Sequence, residues 1–164
     1  MIIRSIIIIE KYNMITIDQL KIKIEKKSRL LGIDMGSKRI GISICDEKRL
    51  VATPFQTINF TSLENLIYEI KKIINENNIK GIIIGNPINM DGSSGKASRS
   101  IKSKADIISN KIEIPTALWD ERLSTVGAFN LSSQLDVNVN KRTKNLDGKA
   151  SAFMLQGAID YLNN

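Results

Sequence analysis

Among its 164 residues the chain has no histidine and a single cysteine, Cys45. Without histidine there is no Ser-His-Asp or Cys-His nucleophile system and no His-ligated metal. One cysteine excludes an internal disulfide framework and a Cys-rich zinc site. Aromatic residues make up only 5% of the chain, too few for a broad base-stacking platform. Long hydrophobic runs are missing as well. The N-terminal "MIIRSIIIIEKYNMITID" is interrupted by Arg4, falls short of the roughly 20 apolar residues that span a bilayer, and precedes no small-residue cleavage site. These features read as a cytoplasmic protein with no membrane partner. Any catalysis falls to carboxylates, lysines or hydroxyls. Carboxylates select hard cations, so Mg²⁺ or Mn²⁺ is the expected metal.

What is present is ordinary for a soluble globular chain: 42% hydrophobic and 25% charged residues. The length suits one domain with a real core. We assign that domain to residues 29–164 and treat 1–28 as an N-terminal extension, helical or partly disordered. The net charge of +7 and a pI near 9.5 favour an anionic partner, nucleic acid ahead of a membrane surface.

Hydrophobic periodicity orders the elements. "LLGIDM" (30–35) reads as a short buried strand. "RIGISICD" (39–46) alternates Ile40, Ile42 and Ile44 with small residues, a strand pattern. "EKR" turns the chain into a third strand near 49–58. A helix follows, with Thr61 and Glu64 as a capping box and Leu63, Leu66, Ile67, Ile70, Ile73 and Ile74 at helical spacing. "IKGIIIGNP" is apolar throughout, as a central parallel strand is. After the turn-forming "NMDGSSG" (89–95), a basic helix from about 96 to 110 turns Ala97, Ile101, Ala105 and Ile108 inward. A strand over 114–120, a helix over 124–135, a basic loop and a last helix over about 147–162 complete the chain. The order βββαβαβαα implies an α/β layered fold with a mixed sheet of five strands.

Acidic residues stand at comparable places. Asp34 ends the first strand, Asp120 and Glu121 end "ALWDER", and Asp147 opens the last helix. In that helix Ala150, Met154, Ala158 and Tyr161 share Asp147's face, which must pack on the sheet. Asp34, Glu121 and Asp147 would then meet in one cleft. Clustered carboxylates repel unless cations neutralise them, and two divalent ions can clamp a phosphodiester. Taken singly, each has a plainer explanation: a turn cap for Asp34, a helix N-cap for Asp147, and a surface ion pair with Arg122 for Glu121. Those explanations leave open why all three fall at element ends on one side of the sheet.

In order along the chain, "GIDMGSKRIG", "GNPINMDGSSG", "WDERLST" and "DGKASAFMLQ" resemble the signatures of the YqgF/RuvX family of bacterial proteins. The resemblance covers about residues 30–162. It implies an RNase H-like fold with helices on both faces of the sheet, related to the RuvC resolvases. It also implies a nuclease, either processing the 5′ end of the small-subunit ribosomal RNA precursor or resolving Holliday junctions. By the same resemblance, Asp34 is the first-strand metal aspartate, Glu121 the acid after the strand that ends in Asp120, and Asp147 the helix acid. The chain departs from the pattern at Asn86, where an apolar residue is expected, and at Lys96, where proline is expected.

Basic residues crowd these acids. Lys38 and Arg39 follow Asp34, Arg122 follows Glu121, and Lys141, Arg142, Lys144 and Lys149 bracket Asp147. Together with Lys96 and Arg99 on the basic helix and Asn89 in the loop before it, they are the candidate nucleic-acid contacts, giving salt-sensitive, sequence-independent affinity. Structured RNA is the preferred partner, branched DNA the second, and ribosomal precursor particles the expected context. Two other classes remain open. Strand–Asp–x–Gly–Ser also resembles the first phosphate loop of actin- and hexokinase-like ATPases, which need two such domains. A non-catalytic nucleic-acid-binding factor would tolerate Asp34→Asn.

Overall fold

Isoleucine periodicity is what the fold makes visible first. A computed structural model describes residues 14–123 and 146–164, with Leu146 and Asp147 as backbone only. The elements are α1 (Ile17–Lys23), β1 (Arg29–Met35), β2 (Arg39–Cys45), β3 (Ala52–Asn59), α2 (Leu63–Asn77), β4 (Ile79–Asn86), α3 (Lys96–Lys111), β5 (Thr116–Asp120), a 3-10 turn (Glu121–Leu123) and α4 (Leu146–Asn163). The five strands form one sheet in the order β3-β2-β1-β4-β5. The β1–β2 and β2–β3 pairs are antiparallel, and β1–β4 and β4–β5 are parallel. This is the mixed α/β arrangement expected from the element order. The expected helix over 124–135 and the basic loop after it lie outside the described residues.

Alternation along each strand sorts side chains onto two faces. One face carries Leu31, Ile33, Ile40, Ile42, Ile82 and Ile84, all buried under α2 and α3. Leu66, Ile70 and Ile73 of α2 and Ile101, Ala105 and Ile108 of α3 meet them. The other face carries Leu30, Cys45, Ile83, Ala117 and Trp119, covered by Leu20 of α1 and by Met154, Leu155, Ala158, Ile159 and Leu162 of α4. Helices therefore lie on both faces.

Local chemistry sets the element ends. The N-cap of α2 is Ser62, whose Oγ accepts from Asn65 N at 3.1 Å. That is one residue beyond the expected Thr61 box, because Ser62 holds the extended backbone a cap requires. A full capping box, Thr16 with Gln19, starts α1 instead. Leu20 is fully buried and Ile15 bridges to Ala117, so residues from the expected extension pack on the sheet. The β2–β3 turn closes on Asp46, whose Oδ1 accepts from Leu50 N at 2.8 Å and Val51 N at 2.7 Å. No helix among the described residues is long and apolar enough to cross a membrane.

Two helical faces differ from expectation. In α3, Ala97 is exposed and Ser98 is fully buried. Ser98 Oγ donates to Asn86 Oδ1 at 2.7 Å, which satisfies the polar residue that stands where an apolar one was expected. In α4, Met154 and Ala158 are buried as expected, but Ala150 is exposed and Tyr161 is 39% exposed. The buried face is centred on Ser151, Leu155 and Leu162. Tyr161 keeps a partly wet position because its hydroxyl donates to Asp18 Oδ1 at 2.7 Å while its ring meets Trp119 edge-on at 5.6 Å.

Candidate active site

The parallel strands β1, β4 and β5 end together on one edge of the sheet, the place where open α/β sheets bind ligands. Asp34 lies there in β1, paired with Gly41 of β2. The ladder sets Ile33 beside Ile84, so Asp34 and Gly85 are neighbours across β1 and β4. On the far side, Gly85 pairs with Trp119 and Asn86 with Asp120. By strand alternation Asp34 and Gly85 share the face that α4 covers.

Glu121 follows directly in the 3-10 turn, and its side chain folds back over β4. A Cβ built on Gly85 would lie 2.6 Å from Glu121 Oε1 and 3.3 Å from Met154 Cγ. Glycine at 85 is therefore what leaves room for the carboxylate. Burial pushes the Glu121 carboxyl above its ordinary range, and the Asp34 and then the Asp120 carboxylates push it further. Two acids from distant parts of the chain thus feel each other at one edge.

Asp120 is turned to another task. Its carboxylate takes Arg122 in a fork, with Nε 3.0 Å from Oδ1 and Nη2 2.7 Å from Oδ2, and also accepts Arg122 N at 3.0 Å. The guanidinium holds the Asp120 carboxyl below its usual range. Arg122 Nη1 donates to Asn89 O at 3.4 Å, tying the β4–α3 loop to the strand edge. The ion pair with Arg122 expected of Glu121 is made by Asp120, and Glu121 lies over Gly85 within the electrostatic reach of Asp34.

The remaining predicted contacts separate into groups. Lys38, in the β1–β2 turn, and Arg39, the first residue of β2, are both exposed just beyond the end of β1 that carries Asp34. Lys96 is exposed at the start of α3. Arg99 Nη1 donates to Ser94 O at 3.1 Å, and Asn89 Nδ2 donates to Ser93 Oγ at 3.0 Å, so both shape the loop over 87–95. Lys149 is half-buried in the first turns of α4. Lys141, Arg142 and Lys144 lie outside the described residues, and Asp147 is placed by backbone alone, in the first turn of α4. Sequence reasoning did not single out Gly85, the Asp120–Arg122 fork or the buried pair Ser43 and Ser151. The available signal was the small residues alternating with isoleucine in β2 and the single glycines set among the apolar residues of β1 and β4.

Among the described residues no group of three His, Cys, Asp or Glu side chains is arranged to hold a metal ion. The fit to a metal rests on two of the three predicted acids. Their donor chemistry is carboxylate oxygen; the Glu121 carboxyl is raised first by burial and then by Asp34 and Asp120, and a hard divalent cation would offset both by favouring the ionised form.

Known proteins agree with this fold. The fold is similar to that of RuvC of Thermus thermophilus, solved in complex with a Holliday junction substrate. The two superpose with a TM-score of 0.60 at 8% identity, covering 83% of this chain and 95% of that one. The family model described as "RuvX: Holliday junction resolvase" matches residues 28–161, and the chain belongs to that family. A protein of Pelagibacter ubique named "Putative pre-16S rRNA nuclease" is 62% identical over 151 residues, covering 92% of this chain and all of the relative. One of the same name from Ruegeria pomeroyi is 36% identical over 149 residues, covering 91% of this chain and 97% of the relative.

Proposed function

We propose that this protein is a metal-dependent nuclease that hydrolyses phosphodiester bonds in structured RNA, processing the 5′ end of pre-16S rRNA. The observation that carries the reading is the Glu121 carboxylate lying over Gly85 beside Asp34, at the sheet edge of a chain 62% identical to a relative with that name. Asp34, Glu121 and Asp147 would hold Mg²⁺ or Mn²⁺, which when bound lowers the pKa of water and stabilises the leaving oxyanion.

The chain's own residues do the rest. Glu121 is kept from Arg122 by the Asp120 fork, so its charge stays at the edge. Lys38 and Arg39 extend past Asp34 and hold backbone phosphates on either side of the reacting one. The loop over 87–95, pinned by Arg122 and Arg99, walls the edge opposite them. With few aromatics, recognition uses backbone and shape, the ordinary mode for folded RNA.

Branched DNA is the second reading, favoured by the description that the matching family carries. Purified full-length protein incubated with labelled pre-16S rRNA and with four-way DNA junctions decides between them, each with Mg²⁺, with Mn²⁺ and with EDTA. Cleavage of the RNA at its 5′ leader with metal, and none with EDTA, is the expected result. Cutting confined to junctions gives the second reading. Cutting that survives EDTA, or none of either substrate, overturns both.

A further inference from the structure

A chain of buried hydroxyls joins the last helix to the first strand. Ser43 of β2 and Ser151 of α4 are each 0% exposed, beside the apolar cluster that α4 makes with the sheet. Ser151 Oγ donates to Gly32 O at 3.1 Å, and the two serine oxygens are 2.8 Å apart. A hydroxyl has one proton. With Ser151's given to Gly32, the Ser43 hydroxyl must donate to Ser151, and the relay runs Ser43 to Ser151 to Gly32. Gly32 itself admits no side chain. A Cβ there would collide with Ser43 Oγ and lie 2.9 Å from Leu155 Cβ, so helix and strand touch almost backbone to backbone.

Apolar contacts alone tolerate sliding, because one aliphatic surface resembles the next. A directional relay is satisfied in one register only, and leaving a buried hydroxyl unpaired is costly. The place of this relay matters. Gly32 precedes Asp34 by two residues in β1, on the same face. Asp147 precedes Ser151 by four residues, one turn, in α4. The relay therefore sits directly behind two acid-bearing positions. Farther along, α4 is held by Gln156, which accepts from Ala52 N at 2.8 Å, and by Asn163, which donates to Arg49 O at 2.7 Å, both to the β2–β3 turn region rather than to β1.

We propose that Ser151 and Ser43 are positioning residues, a register lock that sets the Asp147 end of α4 against Asp34. The inference rests on the reading of Asp34, Glu121 and Asp147 as the metal-holding acids. A displacement of about 1 Å at such a site is enough to cost on the order of 100-fold in rate, whereas a one-turn slip of the helix would be about 5.4 Å.

Full-length Ser151→Ala, Ser43→Ala and the double variant test it, with Asp34→Asn as control. Three quantities are read: the Mn²⁺ dissociation constant, kcat and KM on labelled pre-16S rRNA, and the metal-free melting temperature. Ser151→Ala is expected to weaken Mn²⁺ about 10-fold and lower kcat roughly 10- to 50-fold, with KM within about twofold. It should also melt roughly 3–6 °C lower, since the Ser43 hydroxyl loses its acceptor. Ser43→Ala keeps the bond to Gly32 and should lose only about two- to fivefold in kcat.

The double variant separates positioning from simple stability. Removing both hydroxyls takes away the unpaired Ser43 donor and leaves only the Gly32 carbonyl short of the Ser151 bond, so its melting temperature should return part of the way toward wild type while Mn²⁺ affinity and kcat stay low. Recovery of all three, or Ser151→Ala that binds Mn²⁺ and cleaves like wild type beside an inactive Asp34→Asn, overturns the lock alone. Wild-type cleavage by Asp34→Asn overturns the acid-site reading, and the lock with it.

Discussion

The two faces of the sheet are built from the same strands but not to the same purpose. Under α2 and α3, branched side chains fill the centre of the sheet, Leu31 and Ile33 in β1, Ile40 and Ile42 in β2, Ile82 and Ile84 in β4, with the paired Asn86 as the polar exception at the end of β4. Under α4 the same strands present Gly32, Ser43 and Gly85 between their larger residues, and Asp34 at the end of the row. The first face is thick and interchangeable. The second is thin, so that a helix and a carboxylate can come close to backbone, and its few polar groups are aimed at particular partners. Packing stability and positional accuracy are thereby assigned to opposite sides of one sheet.

The largest break in that comparison is Asp34→Asn. If the thin face does the chemistry, cleavage should fall about 1,000-fold or more, the scale of several kcal/mol of lost transition-state stabilisation. RNA affinity at fixed salt should stay within about threefold, because phosphate contacts come from other residues. Quenched-flow cleavage and a filter-binding titration on one preparation check both halves. Ile84→Ala is the mirror experiment on the thick face. Deleting that fully buried side chain should cost roughly 2–5 kcal/mol and lower the melting temperature by roughly 6–15 °C. At a temperature where the variant is folded, its kcat should match wild type within about twofold. A selective loss of kcat in this variant would dissolve the division between faces.

Gly85→Ala sharpens the comparison at a single methyl group. The new Cβ would lie 2.6 Å from Glu121 Oε1, the free end of a flexible side chain, and 3.3 Å from Met154 Cγ. The carboxylate can swing aside at small cost in stability, but it then leaves the edge it shares with Asp34. Cleavage should fall roughly 10- to 100-fold, while the melting temperature moves by only a few degrees. A variant that cleaves normally would mean that Glu121 is not needed where it lies.

The thick face was legible because isoleucine repeats with a period of two in strands and 3.6 in helices, and burial follows that period. The same reasoning slipped where small or polar residues carry the packing. Ala150 was expected inward and is exposed, while its neighbour Ser151 is fully buried. Ala97 and Ser98 show the same exchange on α3, where Asn86 supplies the acceptor. A buried serine has no hydrophobic signature, and its partner lies 108 residues away in the case of Ser43 and Ser151. Arg122 teaches a related point. As a cation beside an acid it reads as a phosphate contact, yet the structure spends its guanidinium on Asp120 and on the Asn89 carbonyl. The meeting of Asp34 with Glu121 was inferable from element ends, since parallel strands must finish on the same edge. The glycine that makes room for Glu121 was not, because clearance is a property of three dimensions.

The smallest expected effect concerns stability without metal. Burial, then Asp34, raises the Glu121 carboxyl in the folded protein. A carboxyl raised on folding binds more protons in the native state than in the unfolded one. Stability must therefore fall as pH rises through that range. Below the ordinary glutamate range both states are protonated and no penalty exists. Above the raised value both are ionised and the penalty is complete. Glu121→Gln removes the titrating group while keeping its size, so in EDTA it should melt higher than wild type at neutral pH and level with it in acid. Saturating Mn²⁺ should reverse the order, because the wild-type carboxylate then gains a cation that the amide binds poorly. Metal-free melting curves that run parallel for the two proteins across this pH range would mean that Asp34 and Glu121 do not strain each other, and the thin face would lose its electrostatic reason for attracting a cation.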